Sequence, residues 1–151
     1  PNNHRVLVYD ANEKLLGSFG REHGLQSPGG MALDTKGNLL VLDFGTSSIH
    51  VFNPRGESVR TIGKRGNGPG EFAVPRELAV DRFGNLFVAD TLNHRIQVFD
   101  PEGNFVLAVG RKGLGFGEFN GPEGLAISPD DKLYVADRGN GRIQVLNIQR
   151  A

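Results

Sequence analysis

Four histidines and three evenly placed aspartates are the side chains of this 151-residue chain best equipped for chemistry. His4, His23, His50 and His94 could ligate a metal or move a proton near neutral pH. A helix-borne metal site places two ligands at positions i and i+4, and no two of these histidines have that spacing. None falls in the segments expected below to line a central axis, so no metal or other cofactor is expected. The chain has no cysteine, which removes thiolate ligands, disulfides and a thiol nucleophile. No serine stands in a G-x-S-x-G elbow. Two glycine-rich stretches, G-N-G-P-G-E-F (66–72) and G-L-G-F-G-E-F (113–119), suggest a phosphate cradle but lack the Lys-Ser/Thr of a nucleotide loop and precede no helix. Their repeated Phe72 and Phe119 are expected to fill gaps between structural units instead. No catalytic residue is therefore assigned.

The aspartates point to architecture. Asp43, Asp90 and Asp137 are spaced by 47 residues, and their surroundings stay in step: L-F-V-A-D-T-L-N-H-R-I-Q-V-F (86–99), L-Y-V-A-D-R-G-N-G-R-I-Q-V-L (133–146) and the weaker L-L-V-L-D-F-G-T-S-S-I-H-V-F (39–52). A period of this length signals stacked supersecondary units. Each unit reads as four short strands. The first is G-M-A-L-D (30–34), E-L-A-V-D (77–81) or G-L-A-I-S (124–128), with Ala32, Ala79 and Ala126 suited to a crowded inner position. A Gly- or Asp-bearing turn leads to a second, almost continuously apolar strand, the pattern of burial on both faces. The third strand (5–9, 49–52, 95–99, 142–146) alternates, as a strand with one face fully covered does. A looser fourth strand (15–19, 58–62, 105–109) ends at Gly20, Gly63 or Gly110. A long connector then leads on, and the one at 21–28 is four residues shorter than its sisters.

Antiparallel strands with turn-length links and a longer link to the next unit describe the blades of a β-propeller. A β-sandwich also has many short strands but requires no fixed register. The fold expected is all-β, a propeller of four-stranded antiparallel blades seen as an incomplete arc over 1–151. Its parts are 1–20 (strands three and four of a blade), two whole blades at 28–63 and 75–110, and three strands at 122–148. Each bare blade face would forgo up to roughly 7 kcal/mol of apolar burial. A cover is expected: the missing blades of a longer chain, or, as runner-up, a second copy completing the ring.

Composition says little about the partner. The 17 basic residues balance 17 acidic ones, so bulk charge draws the chain to neither nucleic acid nor anionic lipid. No apolar run is long enough to span a bilayer. Nothing in the sequence fixes a compartment.

The stretch A-D-T-L-N-H-R-I-Q-V-F (89–99), with P-x-x-L-A-V-D-x-x-G-N-L-F-V ahead of it (75–88), closely resembles the NHL repeat, and the resemblance covers essentially the whole chain. Its signature is Asn93-His94-Arg95 and again Asn3-His4-Arg5. Two copies depart from it: Thr46-Ser47-Ser48 replaces the triplet, and Asn140-Gly141-Arg142 lacks the histidine. The resemblance implies a six-bladed propeller acting as a platform for protein or RNA recognition, with a zinc-dependent lyase as a minority member. A residue that comes and goes between blades suits no shared catalytic role. Asn3, His4, Arg5, Asn93, His94, Arg95 and Arg142 are therefore expected to act locally, at the turn between strands two and three. There Asp43, Asp90 and Asp137 would accept hydrogen bonds from the turn backbone or from the arginine.

In a propeller the connectors and the Asn-His-Arg turns share one face. Arg21, Lys64, Arg65, Arg111 and Lys112 recur at the blade junctions there, a candidate anion- or RNA-facing arc, although Glu22, Glu71 and Glu118 in the same connectors oppose their charge. Glu77, preceded by Arg76, stands where two other copies have Gly30 and Gly124, and Glu123 takes the Arg76 position in the next unit, all near the expected mouth of the channel. The function expected is recognition or scaffolding through the connector face with a protein partner. The alternatives are an enzyme with a metal or hydrolytic site in the channel and an RNA-binding propeller.

Overall fold

The computed structural model describes residues 4–148. Asn3 lies outside the described residues. The chain is all-β, and its sheets follow one another along the sequence. Strands β1 (Val6–Tyr9) and β2 (Leu15–Phe19) form a two-stranded ribbon. The first full blade is β3 (Pro28–Leu33), β4 (Leu39–Asp43), β5 (Ser48–Phe52) and β6 (Ser58–Ile62), paired antiparallel in chain order. A small parallel pair, β7 (Lys64–Arg65) with β8 (Glu71–Phe72), ties the connector. The second blade is β9 (Pro75–Val80), β10 (Leu86–Asp90), β11 (Arg95–Phe99) and β12 (Phe105–Val109). A three-stranded sheet of β13 (Pro122–Ile127), β14 (Lys132–Asp137) and β15 (Arg142–Asn147) follows.

Two details differ from the sequence pattern. The first strands start two residues earlier than expected, because Pro28, Pro75 and Pro122 pair with Asp43, Asp90 and Asp137 past a register shift. Whereas β1 and β15 alternate, two of the third strands are more deeply buried than alternation implied: β5 is buried throughout, and Gln97 of β11 is wholly inaccessible. The polar face of these strands lies under the connector, which supplies hydrogen-bond partners in place of water. His23 marks another departure, since residues Arg21–His23, Thr91–Asn93 and Arg138–Asn140 each form one 3-10 turn where no helix was expected.

The core lies between blades. Leu40, Leu42, Ile49 and Ile62 of the first blade pack with Phe72 of the connector and Leu78, Leu86, Val88 and Phe99 of the second. Phe87, Ala89 and Ile96 of the second blade pack with Phe119, Leu133 and Val135 in the same way. Phe72 and Phe119 are fully buried at these seams, each contributing about 2–3 kcal/mol of apolar transfer. Their fit explains the glycines that close β6 and β12. A Cβ on Gly63 would lie 2.3 Å from the Phe72 ring and one on Gly110 2.5 Å from Phe119, and both glycines have positive φ.

Candidate functional site: the connector face and channel mouth

Asp90 ends β10 with no exposed surface, so its charge must be met from within the protein. Its Oδ1 accepts the Ala73 backbone N–H (2.8 Å). Its Oδ2 accepts Asn93 Nδ2 (2.9 Å), Arg95 Nε (2.8 Å) and Gln97 Nε2 (3.0 Å). Each of those donors also reaches the connector: Asn93 to the Gly66 carbonyl, Arg95 to those of Gly68 and Glu71, and Gln97 to that of Glu71. The Gly70 N–H donates back to Gln97 Oε1 at 2.9 Å. One carboxylate thereby fastens a glycine-rich loop, otherwise entropically free, across the top of the blade.

The same device recurs 47 residues on. Asp137 accepts Asn120 N–H (2.7 Å), Asn140 Nδ2 (2.9 Å), Arg142 Nε (2.9 Å) and Gln144 Nε2 (3.2 Å). Burial alone would raise the Asp137 pKa, but these four donors outweigh it and hold the carboxyl below its ordinary value. In the first blade Thr46, Ser48 and His50 take the places of Asn, Arg and Gln. Asp43 there accepts three backbone N–H groups, from Gln26, Ser27 and Thr46. His50 Nε2 sits 3.1 Å from Thr46 Oγ1 and 3.3 Å from Ser48 Oγ. Burial lowers the His50 pKa and Asp43 partly opposes that.

The signature histidine does more than the local work expected of it. His94 has a left-handed backbone (φ 54°), and its Nδ1 accepts the Gly121 N–H of the next connector at 3.0 Å. His4, likewise at positive φ, contacts the Gln26 carbonyl through Nδ1. These histidines join one repeat to the next. Arg5, at the Arg95 position of the first ribbon, is exposed.

Several residues at positions that vary between repeats gather elsewhere. Arg76, Glu77 and Glu123, with Gly124, line one open depression of about 690 Å³ together with Phe44, Arg138 and Arg142. The Arg76 guanidinium lies over the Phe44 ring, 5.4 Å from its centroid, and 3.9 Å from the Glu123 carboxylate. Arg138 reaches the same carboxylate at 3.1 Å. A row Phe44–Arg76–Glu123–Arg138 thus runs across the inner ends of three blades. Glu77 sits at its inner edge, with Oε1 accepting the Leu78 N–H at 3.0 Å. A Cβ on Gly29 would meet the Phe44 ring at 2.3 Å, so the glycine is what lets that ring approach the strand so closely.

Of the basic arc, Lys64 faces Glu71 at 3.5 Å and Arg111 faces Glu118 at 2.8 Å. Arg65 Nη2 donates to the Gly45 carbonyl at 3.2 Å. Arg21, Lys64, Arg65, Arg111 and Lys112 are all exposed. The structure brings Arg76, Glu77 and Glu123 together but leaves the arc residues strung along separate connectors. Sequence reasoning missed Phe44 and Arg138. The signal was present: they follow the recurrent aspartate, a position that reads Phe44, Thr91 and Arg138 in successive units. Among the described residues no group of three or more His, Asp or Glu side chains is placed to hold a metal ion.

A family model described as a 6-bladed beta-propeller matches residues 30–86, and one for the NHL repeat matches residues 119–146. The chain is a β-propeller chain that carries an NHL repeat at residues 119–146. No curated protein matches it. A gluconolactonase from Xanthomonas campestris is similar over 98% of this chain and 52% of its own, at 20% identity and a TM-score of 0.73. A Bacteroides thetaiotaomicron protein of unknown function covers 95% of this NHL chain with 42% of its own (18% identity, TM-score 0.73). The virginiamycin B lyase of Staphylococcus aureus, with quinupristin, covers 97% with 46% of its own (12% identity, TM-score 0.60). At these identities the likeness shows the fold alone. The chain spans about half the length of these structures.

Proposed function

We propose that this NHL chain is a non-catalytic recognition module that seats a charged group of a protein partner at the channel mouth on its connector face. One observation carries the reading. The recurrent Asp, Asn and Gln are used up in holding connectors, whereas Phe44, Arg76, Glu77, Glu123 and Arg138, all at positions that change from repeat to repeat, converge on one depression. Arg76 and Arg138 offer planar donors to a carboxylate, Phe44 offers an apolar floor, and Glu123 and Glu77 would select against a purely anionic group. Arginine and aromatic side chains in such a setting are the usual anchors of protein recognition.

A display library of random peptides, panned on the whole chain, tests this. Recovered peptides are expected to bind at least about tenfold more weakly to an Arg76→Ala/Arg138→Ala variant. Peptides that bind both proteins equally would place the seat elsewhere. The rival reading, hydrolysis in the channel, draws on the two carboxylates Glu77 and Glu123 facing one mouth. Turnover of simple lactones with added calcium or zinc ions, abolished by Glu77→Gln, would replace recognition with catalysis. RNA binding would show as affinity that falls steeply with salt.

A further inference from the structure

The third connector departs from its sister at four exposed positions, two of them exchanges of Lys and Arg and two changes of chemical type. In register, K-R-G-N-G-P-G-E-F (64–72) becomes R-K-G-L-G-F-G-E-F (111–119), so Leu114 replaces Asn67 and Phe116 replaces Pro69. The two loops share one shape. Gly66 and Gly113 donate to the carbonyls of Phe72 and Phe119, and Gly68 and Gly115 donate to Oε1 of Glu71 and Glu118 (3.1 and 2.9 Å). Leu114 is 75% exposed and Phe116 is 103% exposed, which leaves the ring with no protein contact to satisfy it.

A neighbouring blade is not what these side chains await. Asn67 and Pro69 are exposed although blades stand on both sides of their connector and a third follows. The prong is also stiff. Asn140 holds the Gly113 carbonyl, and Arg142 holds those of Leu114 and Gly115 at 2.8 and 2.9 Å. On the same face Leu92 is 58% exposed, and Arg21, Lys64, Arg65, Arg111 and Lys112 point to solvent. Glu71 and Glu118 are half-buried and paired with Lys64 and Arg111, which leaves Arg21, Arg65 and Lys112 as the connector cations with no carboxylate partner among the described residues, against Glu22 as the exposed acid.

We propose that the Leu114–Phe116 loop inserts into the interfacial layer of an anionic phospholipid membrane, with Lys112 and the neighbouring connector cations at headgroup level. A convex apolar tip needs no shaped pocket in a bilayer, and basic residues around it meet anionic headgroups. A protein partner would instead have to present a matching cavity. This inference is independent of the channel-mouth reading, since neither Leu114 nor Phe116 belongs to that row.

The test uses the whole chain and sedimentation with vesicles of phosphatidylcholine, with or without about 30% phosphatidylglycerol. Binding to the anionic vesicles is expected, weakened at least about tenfold in L114N/F116P and about fivefold in the charge-neutralising Lys112→Ala. Arg76→Ala is expected to leave it unchanged, and this separates the two proposals. L114N/F116P restores the sister sequence, so an unaltered thermal melt is expected. The chain has no tryptophan, so Phe116→Trp makes a single reporter whose emission shifts to the blue on the vesicles. Absence of vesicle binding, or binding that L114N/F116P retains, overturns the proposal. So does self-association of the wild-type chain that L114N/F116P abolishes, which would make the prong a contact between copies.

Discussion

Replacing Asp90 with alanine removes the acceptor on which the second connector hangs. Four donors converge on this carboxylate within 3.0 Å, and neither Asp90 nor its neighbour Gln97 has exposed surface. Arg95 keeps its bonds to the carbonyls of Gly68 and Glu71, which hold the guanidinium in place without its counter-charge. Breaking a buried ion pair from one side costs about 3–5 kcal/mol. Part is recovered because Arg95, at 15% side-chain exposure, can draw in water. A net loss of about 3–4 kcal/mol is expected, a large share of the ~5–15 kcal/mol that holds a domain. Urea unfolding of Asp90→Ala, Arg95→Ala and the double variant reads it directly. The double variant should fall short of the sum of the singles by at least about 1.5 kcal/mol. Hydrogen exchange should show the amides of Gly70 and Ala73 losing protection first. Should Asp90→Ala fail to fold, Asp90→Asn gives the same cycle at smaller amplitude. A loss below about 1 kcal/mol, or additive singles, would refute the claim that the carboxylate organises the connector.

Two further outcomes follow from the same framework. Burial keeps the His50 pKa below its ordinary 6.5; above that value the residue is neutral folded and unfolded alike, and below it the unfolded chain takes up the proton first. Stability should therefore fall as pH drops through 6.5 until the folded imidazole itself titrates, and His50→Gln, the residue of the sister blades, should flatten that slope in pH-dependent thermal melts. Phe72→Ala should cost about 3–5 kcal/mol in urea unfolding, because the ring fills the seam between two blades and nothing beside Gly63 can collapse into the space.

Much of this was legible in the chain because repetition carries three-dimensional information. A 47-residue register fixes which strands are equivalent, and alternation together with apolar runs fixes which of them lie inside. The recurring Asp, Asn, Arg and Gln could be seen to belong together without any view of what they hold. Their donors and acceptors lie up to 28 residues apart in sequence, in a connector whose glycines carry no side chain to advertise a partner. His94 was read as a local turn residue for the same reason: its partner, the Gly121 amide, is a backbone group that no sequence motif can mark.

The sequence by itself determined the blade, its strand order and the residues that depart from its pattern, because these follow from period and polarity along one dimension. The tertiary structure decided which departures meet. Phe44, Arg76, Glu123 and Arg138 come from three separate repeats, and only the inward convergence of neighbouring blades brings a ring and three charges to one mouth. It decided equally that Phe116 stands free while Phe119, three residues later, is sealed in a seam, because burial depends on what the rest of the chain places above a residue.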